Sequence, residues 1–472
     1  MRICIVVEGC YPYAVGGVSS WIHSIIRSFP EYDFVLQTIV PNRSMRGAFM
    51  YTVPDNVSEI HELYLEDVDW DRRHRRMSRR EASALHSLLL DQQIDWESLM
   101  DYWQQPGCSL NKLLMGEDFL LAVEHFYEVR YSQVVFSDFL WMMRSIYLPL
   151  FRTLKTKLPR ADLYHCLCTG YAGVLGSMGK YLYGSPLVIS EHGIYTRERE
   201  EDLVKAKWVQ GLYKNVWIDQ FKKMSRLAYG RADLVTSLYE QARMLQIELD
   251  CPENKTSVTP NGVAVERFQD LPGRTEEDEG WINVGSVLRV SPIKDVKTML
   301  QAFSIAKERE PALKLWVMGP WEEGDAYAGE CFELVQELAL EDVVFTGRID
   351  VRDYLGRMDM TILTSISEGQ PLTILESFAA HKPVIATNVG NCQGLVMGEA
   401  DDFGPAGLIT HVMNQEEIAQ AILYLAHHPE ERRRMGETGY RRVMARYRIE
   451  HMLDAYRRIY ADFAEKIERN KS

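Results

Sequence analysis

The sequence lacks the short patterns by which several enzyme classes are recognised. Its eight cysteines form no CxxC pair, which disfavours a structural zinc site and a disulfide framework and fits reduced thiols in a cytosol. It has no HExxH, no GxSxG nucleophile elbow and no GxGxxG dinucleotide fingerprint. A metal site, a serine hydrolase and a nicotinamide-dependent dehydrogenase are therefore not expected.

Basic residues and long apolar runs are also scarce. The 53 Lys and Arg are outnumbered by 67 Asp and Glu, for a formal charge of −14, which argues against nucleic acid as the main partner. The first apolar run, Ile3–Val7, is too short for a signal peptide, and no window has the apolar length of a membrane span. We expect a cytoplasmic protein without a nucleic-acid partner.

What the sequence does contain is an alternation of strand and helix patterns. Its 472 residues suffice for two domains of roughly 100–200 residues each. Residues 2–7 predict a buried strand, and residues 33–40 predict a second one. Between them lies a Gly-containing loop and then a helix, whose apolar residues recur at the spacing of one buried face: Val18, Trp21, Ile22, Ile25, Ile26 and Phe29. This βαβ start predicts a doubly wound parallel sheet.

The alternation is interrupted twice along the chain. Residues about 60–160 are rich in Trp, Met, Leu and charged residues and predict a helical insertion, whereas the turn-rich segment 269–280 predicts a linker. We therefore predict two doubly wound Rossmann-like α/β domains, 1–270 and 271–445, followed by a helix, 446–472, that packs back toward the first domain.

Two glutamates stand on either side of a predicted helix start. In the segment "TSISEGQPLTILESFAAHKPVIATNVG", Glu368 lies in the loop after a strand, Pro371 suits the first helical position, and Glu376 leans back toward the mouth of the helix. The unpaired N–H groups at such a mouth attract anions. A phosphate bound there, with carboxylates accepting hydroxyl hydrogen bonds, describes a nucleotide-sugar site. The alternative is that Glu376 only caps or solvates an edge helix.

Two cations occupy a comparable position earlier in the same half. In "VLRVSPIKDVKTML", Arg289 and Lys294 flank the loop between a predicted strand and a helix. Arg can act as a fork and Lys as a point charge toward a diphosphate at the carboxyl end of a strand. Either residue alone fits surface solvation, whereas both together favour a diphosphate site.

The first half offers two further candidates. Gly16 and Gly17 precede the first helix, where backbone can approach a phosphate closely, although a purely structural turn explains them equally well. His192, in "SEHGIY", is at the carboxyl end of a predicted strand, where a catalytic role and a structural role are both open.

Together these motifs resemble a known family. The run "TPNGVAVERF", Arg289 five residues before Lys294, and Glu368 eight residues before Glu376 resemble the family 4 retaining glycosyltransferases of GT-B fold. The start, "VEGCYPYAVGGVSSWIH", and the helical insertion resemble more narrowly the glycosyltransferases of Pel exopolysaccharide synthesis. The resemblance implies a GT-B fold, in which two Rossmann-like domains face a central cleft.

The resemblance also implies roles for individual residues in the second half. Glu376 would bind the ribose hydroxyls of the nucleotide, and Glu368 would contact hydroxyls of the donor sugar. The backbone N–H groups of Leu372 and Thr373 would assist in holding the diphosphate. The chain departs from the family at Asp295, where Gly is usual, and in the turn "EGQP", where an aromatic residue is commoner. Both departures concern the preference for the donor sugar.

The remaining implied roles concern the diphosphate and the reacting sugar. Arg289 and Lys294 would hold the diphosphate, Gly17 would border the phosphates from the first domain, and His192 would face the transferred sugar. No metal or other cofactor is implied.

The expected function is a retaining, metal-independent transfer of sugar from a UDP-sugar, UDP-glucose by the Pel resemblance, to a growing exopolysaccharide. Inner-membrane polysaccharide synthesis or export proteins are the expected partners, through which the chain would associate with the membrane. The alternatives are a nucleotide-sugar epimerase or hydrolase of the same fold and a non-catalytic scaffold in a polysaccharide-synthesis complex.

Overall fold

The computed structural model describes residues 1–67, 75–91, 93–206, 208–209, 211–399 and 401–471. These residues form two compact units. The first comprises Met1–Val258 together with Arg457–Ser472, and the second comprises Thr259–Tyr456.

The first unit is built on a seven-stranded sheet in which every strand pair is parallel. The strands are β1 (Arg2–Glu8), β2 (Asp33–Val40), β3 (Val57–Tyr64), β4 (Leu163–Cys166), β5 (Leu187–Ser190), β6 (Leu234–Ser237) and β7 (Thr256–Val258). Their order in the sheet is β3-β2-β1-β4-β5-β6-β7. The chain thus winds outward in one direction from β1 and in the other from β4, which confirms the predicted doubly wound architecture.

Ten helices are described in this unit besides the end of the last helix of the chain. They are α1 (Gly17–Ser28), α2 (Arg79–Leu90), α3 (Trp96–Gln104), α4 (Leu110–Leu114), α5 (Glu117–Arg130), α6 (Phe136–Leu154), α7 (Tyr171–Tyr183), α8 (Tyr195–Lys205), α9 (Tyr213–Arg231) and α10 (Glu240–Glu248). Helix α1 buries Trp21, Ile22, Ile25 and Ile26, the face that the apolar spacing predicts.

Helices α2–α6 fill the segment predicted as a helical insertion. Strand β3 overlaps the start of that segment, so the helices begin only at Arg79. Ser78 and Glu81 form a capping box at this start: the Ser78 hydroxyl accepts from the Glu81 N–H, and the Glu81 carboxylate accepts from the Ser78 N–H. The buried aromatic residues of the insertion belong to the same core as side chains of the sheet, so the insertion is part of the first unit.

Helix α17 (Ile449–Lys471) begins in the second unit and ends in the first. Its Tyr460 hydroxyl lies 2.7 Å from Nδ1 of His165 on β4, and the Tyr460 ring stands edge-on to Phe29 after α1 at 5.6 Å between centroids. Nε2 of His165 lies 2.8 Å from the Ser190 hydroxyl on β5. The buried imidazole therefore joins the last helix to two strands.

The second unit has a six-stranded parallel sheet. Its strands are β8 (Ile282–Val287), β9 (Leu313–Met318), β10 (Val343–Gly347), β11 (Met360–Leu363), β12 (Val384–Thr387) and β13 (Gly407–Thr410). The order is β10-β9-β8-β11-β12-β13, the Rossmann order with its reversal between β8 and β11. The accompanying helices are α11 (Val296–Arg309), α12 (Ala326–Glu337), α13 (Arg352–Leu355), α14 (Leu372–Ala379), α15 (Gln415–His427) and α16 (Pro429–Arg446).

The boundary between the units lies earlier than the predicted linker. The chain divides between Val258 and Thr259, whereas the charged segment 269–280 is anchored inside the second unit. Asp278 in that segment is fully buried, with its carboxylate accepting from the Arg357 guanidinium at 2.8 and 2.9 Å and from the Asn283 amide at 2.9 Å. Composition marks this segment as polar but does not reveal that an acid in it has buried partners.

None of the helices in the described ranges combines the length and the apolar character needed to cross a membrane.

Candidate functional site

The predicted residues of the second half lie next to β8 and β11, at the point where the strand order of its sheet reverses. The loop after β8 carries Arg289 and Lys294, and the loop after β11 carries Glu368 and leads into α14. Strands β8 and β11 are parallel neighbours, so these loops leave the same edge of the sheet side by side. Ligands of open α/β sheets bind at this switch point.

Lys294 and Glu368, 74 residues apart in the chain, form an ion pair. The Lys294 ammonium contacts Oε1 of Glu368, and the Ser365 hydroxyl donates to the same oxygen at 2.6 Å. Their side chains are 25% and 11% exposed, respectively. The structure thus brings together one cation and one carboxylate of the predicted site, and it adds Ser365, which the sequence reasoning missed.

The backbone around Lys294 is fixed by the neighbouring loop. The Thr364 hydroxyl contacts the carbonyls of Lys294 at 3.0 Å and Asp295 at 3.1 Å, and the Ile366 N–H donates to the Ile293 carbonyl. Asp295 adopts a left-handed conformation with φ 46° and caps α11 through the Thr298 N–H. This backbone geometry is easiest for Gly and is tolerated by Asp.

Arg289 projects from the same loop but is held less tightly. Its guanidinium lies 3.6 Å from the Glu322 carboxylate, and its side chain is 54% exposed. The fold places the loops after β8 and β11 side by side. That Arg289 and Lys294 hold one diphosphate together stays a prediction.

Helix α14 presents an uncapped start to the same loop. Pro371 was predicted as its first residue, but Pro371 has ψ 117° and precedes the helix, which begins at Leu372. No side chain caps this start, and in the described part of the chain the N–H groups of Leu372 and Thr373 have no acceptor. They are the donors expected to face an anion.

Glu376 lies one turn into α14 and is half-buried. Burial raises the pKa of its carboxyl to about 7, against a weaker opposing effect of the Arg267 guanidinium. Among the described residues, its carboxylate has no hydrogen-bond or ion-pair partner. An acid without a partner at such a depth is better suited to a ligand than to capping its helix.

The raised pKa of Glu376 makes stability depend on pH. Because the folded protein holds this proton more tightly than the unfolded chain, whose carboxyl has its ordinary pKa near 4.5, the free energy of unfolding is expected to fall as pH rises from about 4.5 to about 7 and then to level off. Glu376→Gln should remove this component in urea unfolding measured across that range. The exposed Glu337→Gln is the control, and equal pH profiles for the two variants would contradict the assignment.

Gly16 and Gly17 lie at the corresponding place in the first unit. They join the loop after β1 to α1, next to the reversal between β1 and β4. Gly16 is extended, and a Cβ built there would meet no atom within 4 Å. The site thus has open space beside an uncapped helix start, and a phosphate contact there stays a prediction.

His192 follows β5 in the first unit. Its ring stands edge-on to Trp21 at 4.8 Å between centroids, and burial lowers the pKa of its imidazole to about 4. The ring is therefore neutral at physiological pH. Its buried Nε2 has no partner among the described residues. A role toward the transferred sugar stays a prediction.

Two further acids near strand ends of the first unit were missed, Glu191, which is buried, and Glu8, which is half-buried. Glu191 accepts from the Tyr229 hydroxyl at 2.6 Å and the Gln246 amide at 3.0 Å, and Glu8, at the end of β1, accepts from the Tyr195 hydroxyl at 3.0 Å. Burial raises the pKa of both carboxyls. Their positions at strand ends were the available signal, but their hydroxyl and amide partners come from distant helices.

One cavity of about 790 Å³ lies elsewhere in the first unit. Its lining includes Arg2, Asp162, Pro186, Asp233 and Lys466, most of which precede strands. It therefore lies at the amino ends of the strands, the edge away from the predicted residues and from the usual ligand position in such sheets.

No group of three His, Cys, Asp or Glu side chains in the described ranges is arranged to hold a metal ion. All eight cysteines are free thiols.

Two families match successive parts of the chain. Residues 1–254 match the family described as Domain of unknown function (DUF3492), and residues 268–442 match the family described as Glycosyl transferases group 1.

Curated relatives are similar over part of their length. The MMP alpha-(1->4)-mannosyltransferase of Mycolicibacterium hassiacum is 26% identical over 270 residues, which cover 55% of this chain and 61% of that protein. The N-acetyl-alpha-D-glucosaminyl L-malate synthase of Bacillus anthracis is 29% identical over 192 residues, which cover 40% of this chain and 47% of that protein. The chain thus spans less than two thirds of the length of either relative.

A solved structure is similar over nearly the whole chain. The crystal structure of Anabaena Alr3699/HepE in complex with UDP and glucose has a TM-score of 0.63 at 14% identity, and the match covers 98% of this chain and 100% of that one. At this identity the likeness concerns the fold alone, and it confirms the GT-B class that the resemblance implied.

Proposed function

The chain belongs to the family described as Domain of unknown function (DUF3492), and because its second half also matches the Glycosyl transferases group 1 family, we propose that it is a retaining glycosyltransferase using a nucleotide-sugar donor. The donor is a UDP-sugar, with UDP-glucose as the candidate, and the acceptor is a growing exopolysaccharide of the Pel type. No metal ion takes part. The protein works in the cytoplasm beside inner-membrane polysaccharide synthesis proteins.

The observation that carries the proposal is the arrangement of Lys294 and Glu368 beside the uncapped start of α14. A cation and backbone N–H groups face the diphosphate, whereas the carboxylate accepts hydrogen bonds from sugar hydroxyls. The carboxylate of Glu376, which has no partner among the described residues, accepts hydrogen bonds from the ribose hydroxyls. A scaffold without a ligand gains nothing from half-burying an acid at this position.

The chemistry follows from where charge develops. As the bond between the sugar and the diphosphate breaks, negative charge grows on the leaving oxygen and positive charge on the sugar ring. The ammonium of Lys294 and the N–H groups of Leu372 and Thr373 stabilise the negative charge on the leaving oxygen. The acceptor hydroxyl attacks from the same face that the leaving group departs from, and it passes its proton to the departing phosphate. Because attack and departure take place on one face, the anomeric configuration is retained.

Two observations support the choice of uracil and glucose, namely the resemblance to Pel glycosyltransferases and the UDP and glucose named for the similarly folded Anabaena protein. Titration of the purified protein with UDP, ADP and GDP, each with magnesium and with a chelator, tests it. We expect UDP to bind with equal affinity in both conditions. Failure of all three to bind, or loss of binding with the chelator, would contradict it.

Substitutions of the two glutamates are expected to have different effects, one on UDP binding and the other on sugar transfer. Glu376→Ala should weaken UDP binding, because the ribose hydroxyls lose their acceptor. Glu368→Ala should leave UDP binding nearly intact and lower the rate of sugar transfer. Calorimetry with UDP and a radiolabelled transfer assay measure the two effects, with the exposed Glu337→Ala as the control. Equal and negligible effects at both sites would refute these roles.

The reaction of UDP-glucose without an acceptor distinguishes a transferase from the alternative, an epimerase or hydrolase. If the protein converts or hydrolyses UDP-glucose as fast without acceptor as with it, an epimerase or hydrolase is the correct assignment.

A further inference from the structure

The cavity of about 790 Å³ in the first unit is open to solvent at the amino ends of four neighbouring strands. Arg2 begins β1, and Asp162, Pro186 and Asp233 directly precede β4, β5 and β6. Helices α7 and α17 each contribute further residues to the lining. The volume lies within the range of roughly 300–1,000 Å³ that small-molecule sites occupy, so the cavity is large enough to hold a ligand.

The described lining of this cavity carries more positive than negative charge, although the whole chain has a formal charge of −14. Its four cations and two acids are Arg2, Arg160, Lys180, Lys466, Asp162 and Asp233. The excess of cations at this place is therefore a local feature and does not reflect the composition of the chain.

Both acids of the lining already have donors from the chain. The Asp233 carboxylate accepts from the Lys180 ammonium at 2.7 Å and from the Leu187 N–H at 2.8 Å, and the Asp162 carboxylate accepts from the Arg2 N–H at 2.8 Å. The Arg2 guanidinium in turn pairs with Glu59 outside the lining. Lys180 and Arg2 are thus neutralised, whereas Arg160 and Lys466 remain.

Arg160 and Lys466 have no hydrogen-bond or ion-pair partner among the described residues, and both are exposed, so a ligand can reach them. The Arg160 guanidinium lies over the Tyr183 ring at 5.3 Å, and the Lys466 ammonium lies over the Phe463 ring at 5.0 Å. The Tyr183 hydroxyl donates to a backbone carbonyl at 3.1 Å, and Phe463 is 6% exposed. The rings therefore restrain the two cations without neutralising them.

We propose that this cavity is a second binding site of the protein, which takes a small organic phosphate. Arg160 and Lys466 hold the phosphate group, and the apolar side chains of Leu182, Phe463 and Ile467, which also line the cavity, contact the organic part. A phosphate monoester carries a charge of about −1.5 to −2 at pH 7, which matches two cations without partners. A guanidinium over a ring keeps its N–H donors for such an anion.

The ligand of this cavity acts as an effector and not as a reactant. The amino ends of the strands lie at the edge of the sheet away from Gly16, Gly17 and His192, which follow the carboxyl ends of β1 and β5. The inference goes beyond the proposed function and does not rest on it.

Calorimetry with phenyl phosphate tests the site, with UDP in excess so that the donor site does not contribute. Arg160→Gln and Lys466→Gln are each expected to weaken binding about tenfold, because each removes a charge-assisted contact to the phosphate. Arg27→Gln, which removes an exposed arginine at the end of α1 outside the cavity lining, should leave the affinity unchanged. Absence of binding to wild-type protein, or equal affinity in all three variants, overturns the inference.

Two further measurements test the ligand class and the location. Benzoate carries one negative charge and phenol none, so both should bind more weakly than phenyl phosphate, and equal affinity of benzoate overturns the assignment to a phosphate. Phenyl phosphate should also slow amide hydrogen exchange in residues 457–469 of α17 in wild-type protein but not in the double variant of Arg160→Gln and Lys466→Gln. Unchanged exchange in wild-type protein overturns the location. UDP binding is measured separately, so failure of the proposed function is distinguishable from failure of this site.

Discussion

Lys294→Ala is expected to lower the rate of sugar transfer by about 10²–10³-fold, the usual effect of removing one preorganised electrostatic donor from a transition state. The ammonium lies at the switch point of the second sheet and contacts Glu368. Its loss removes positive charge where the leaving diphosphate gains negative charge. It also leaves the Glu368 carboxylate, with its side chain 11% exposed, without its cation.

The matched control is Lys297→Ala. Lys297 lies three residues further on, in the first turn of α11, where it pairs with Glu330 and is 37% exposed. Steady-state transfer kinetics of both variants, with thermal unfolding to verify that each is folded, measure the difference. If Lys294→Ala transfers sugar as fast as Lys297→Ala, the role of Lys294 at the diphosphate is wrong.

Arg442→Ala is expected to reduce the free energy of unfolding by about 3–5 kcal/mol, the cost of leaving a buried charge without its partner. Arg442 on α16 is 1% exposed and forms a bidentate ion pair with Asp401 at 2.7 and 2.9 Å. Its guanidinium also donates to the carbonyls of Leu395 and Val396. These carbonyls belong to the π-helical turn Gly394–Gly398. This turn follows Gly390, which packs so closely on the loop after β11 that a Cβ there would lie 2.2 Å from the Glu368 carbonyl oxygen.

Urea unfolding of Arg442→Ala and Arg433→Ala measures this effect. Arg433 lies on the same helix in an exposed pair with Glu430, so its removal should change stability by less than about 0.5 kcal/mol. Replacing both partners, as in Arg442→Met with Asp401→Leu, should cost less than Arg442→Ala alone, because no buried charge is left over. Similar midpoints for the two single variants would contradict a structural role of the pair.

Much of the secondary structure was predictable because parallel strands are buried on both faces and read as short apolar runs. The predicted strand at residues 33–40 coincides with β2, and the one at residues 2–7 ends one residue before β1 does. The short strand β13 and helix α7 were missed: β13 has only four residues, and α7 contains three glycines, which weaken the helix signal.

The candidate site was predictable only as a set of loops. Residue type and position near strand ends marked Arg289, Lys294 and Glu368, since the switch point of a doubly wound sheet collects such loops, and the predicted helix start marked Glu376. Which of them touch was not predictable, because a contact across 74 residues depends on the register of β8 and β11. The structure pairs Lys294 with Glu368 and leaves Arg289 against Glu322.

The doubly wound fold class was readable from the chain alone, as was a set of candidate residues whose chemistry suits a nucleotide sugar, because apolar periodicity and strand-end motifs are local properties. Which polar atoms are buried, and which of those have partners, depends on the folded arrangement. In the described part of the chain, Gln370 accepts from the Asn261 N–H, and burial raises the pKa of the Glu376 carboxyl. Burial and hydrogen bonding depend on segments far apart in the chain, so no local pattern encodes them.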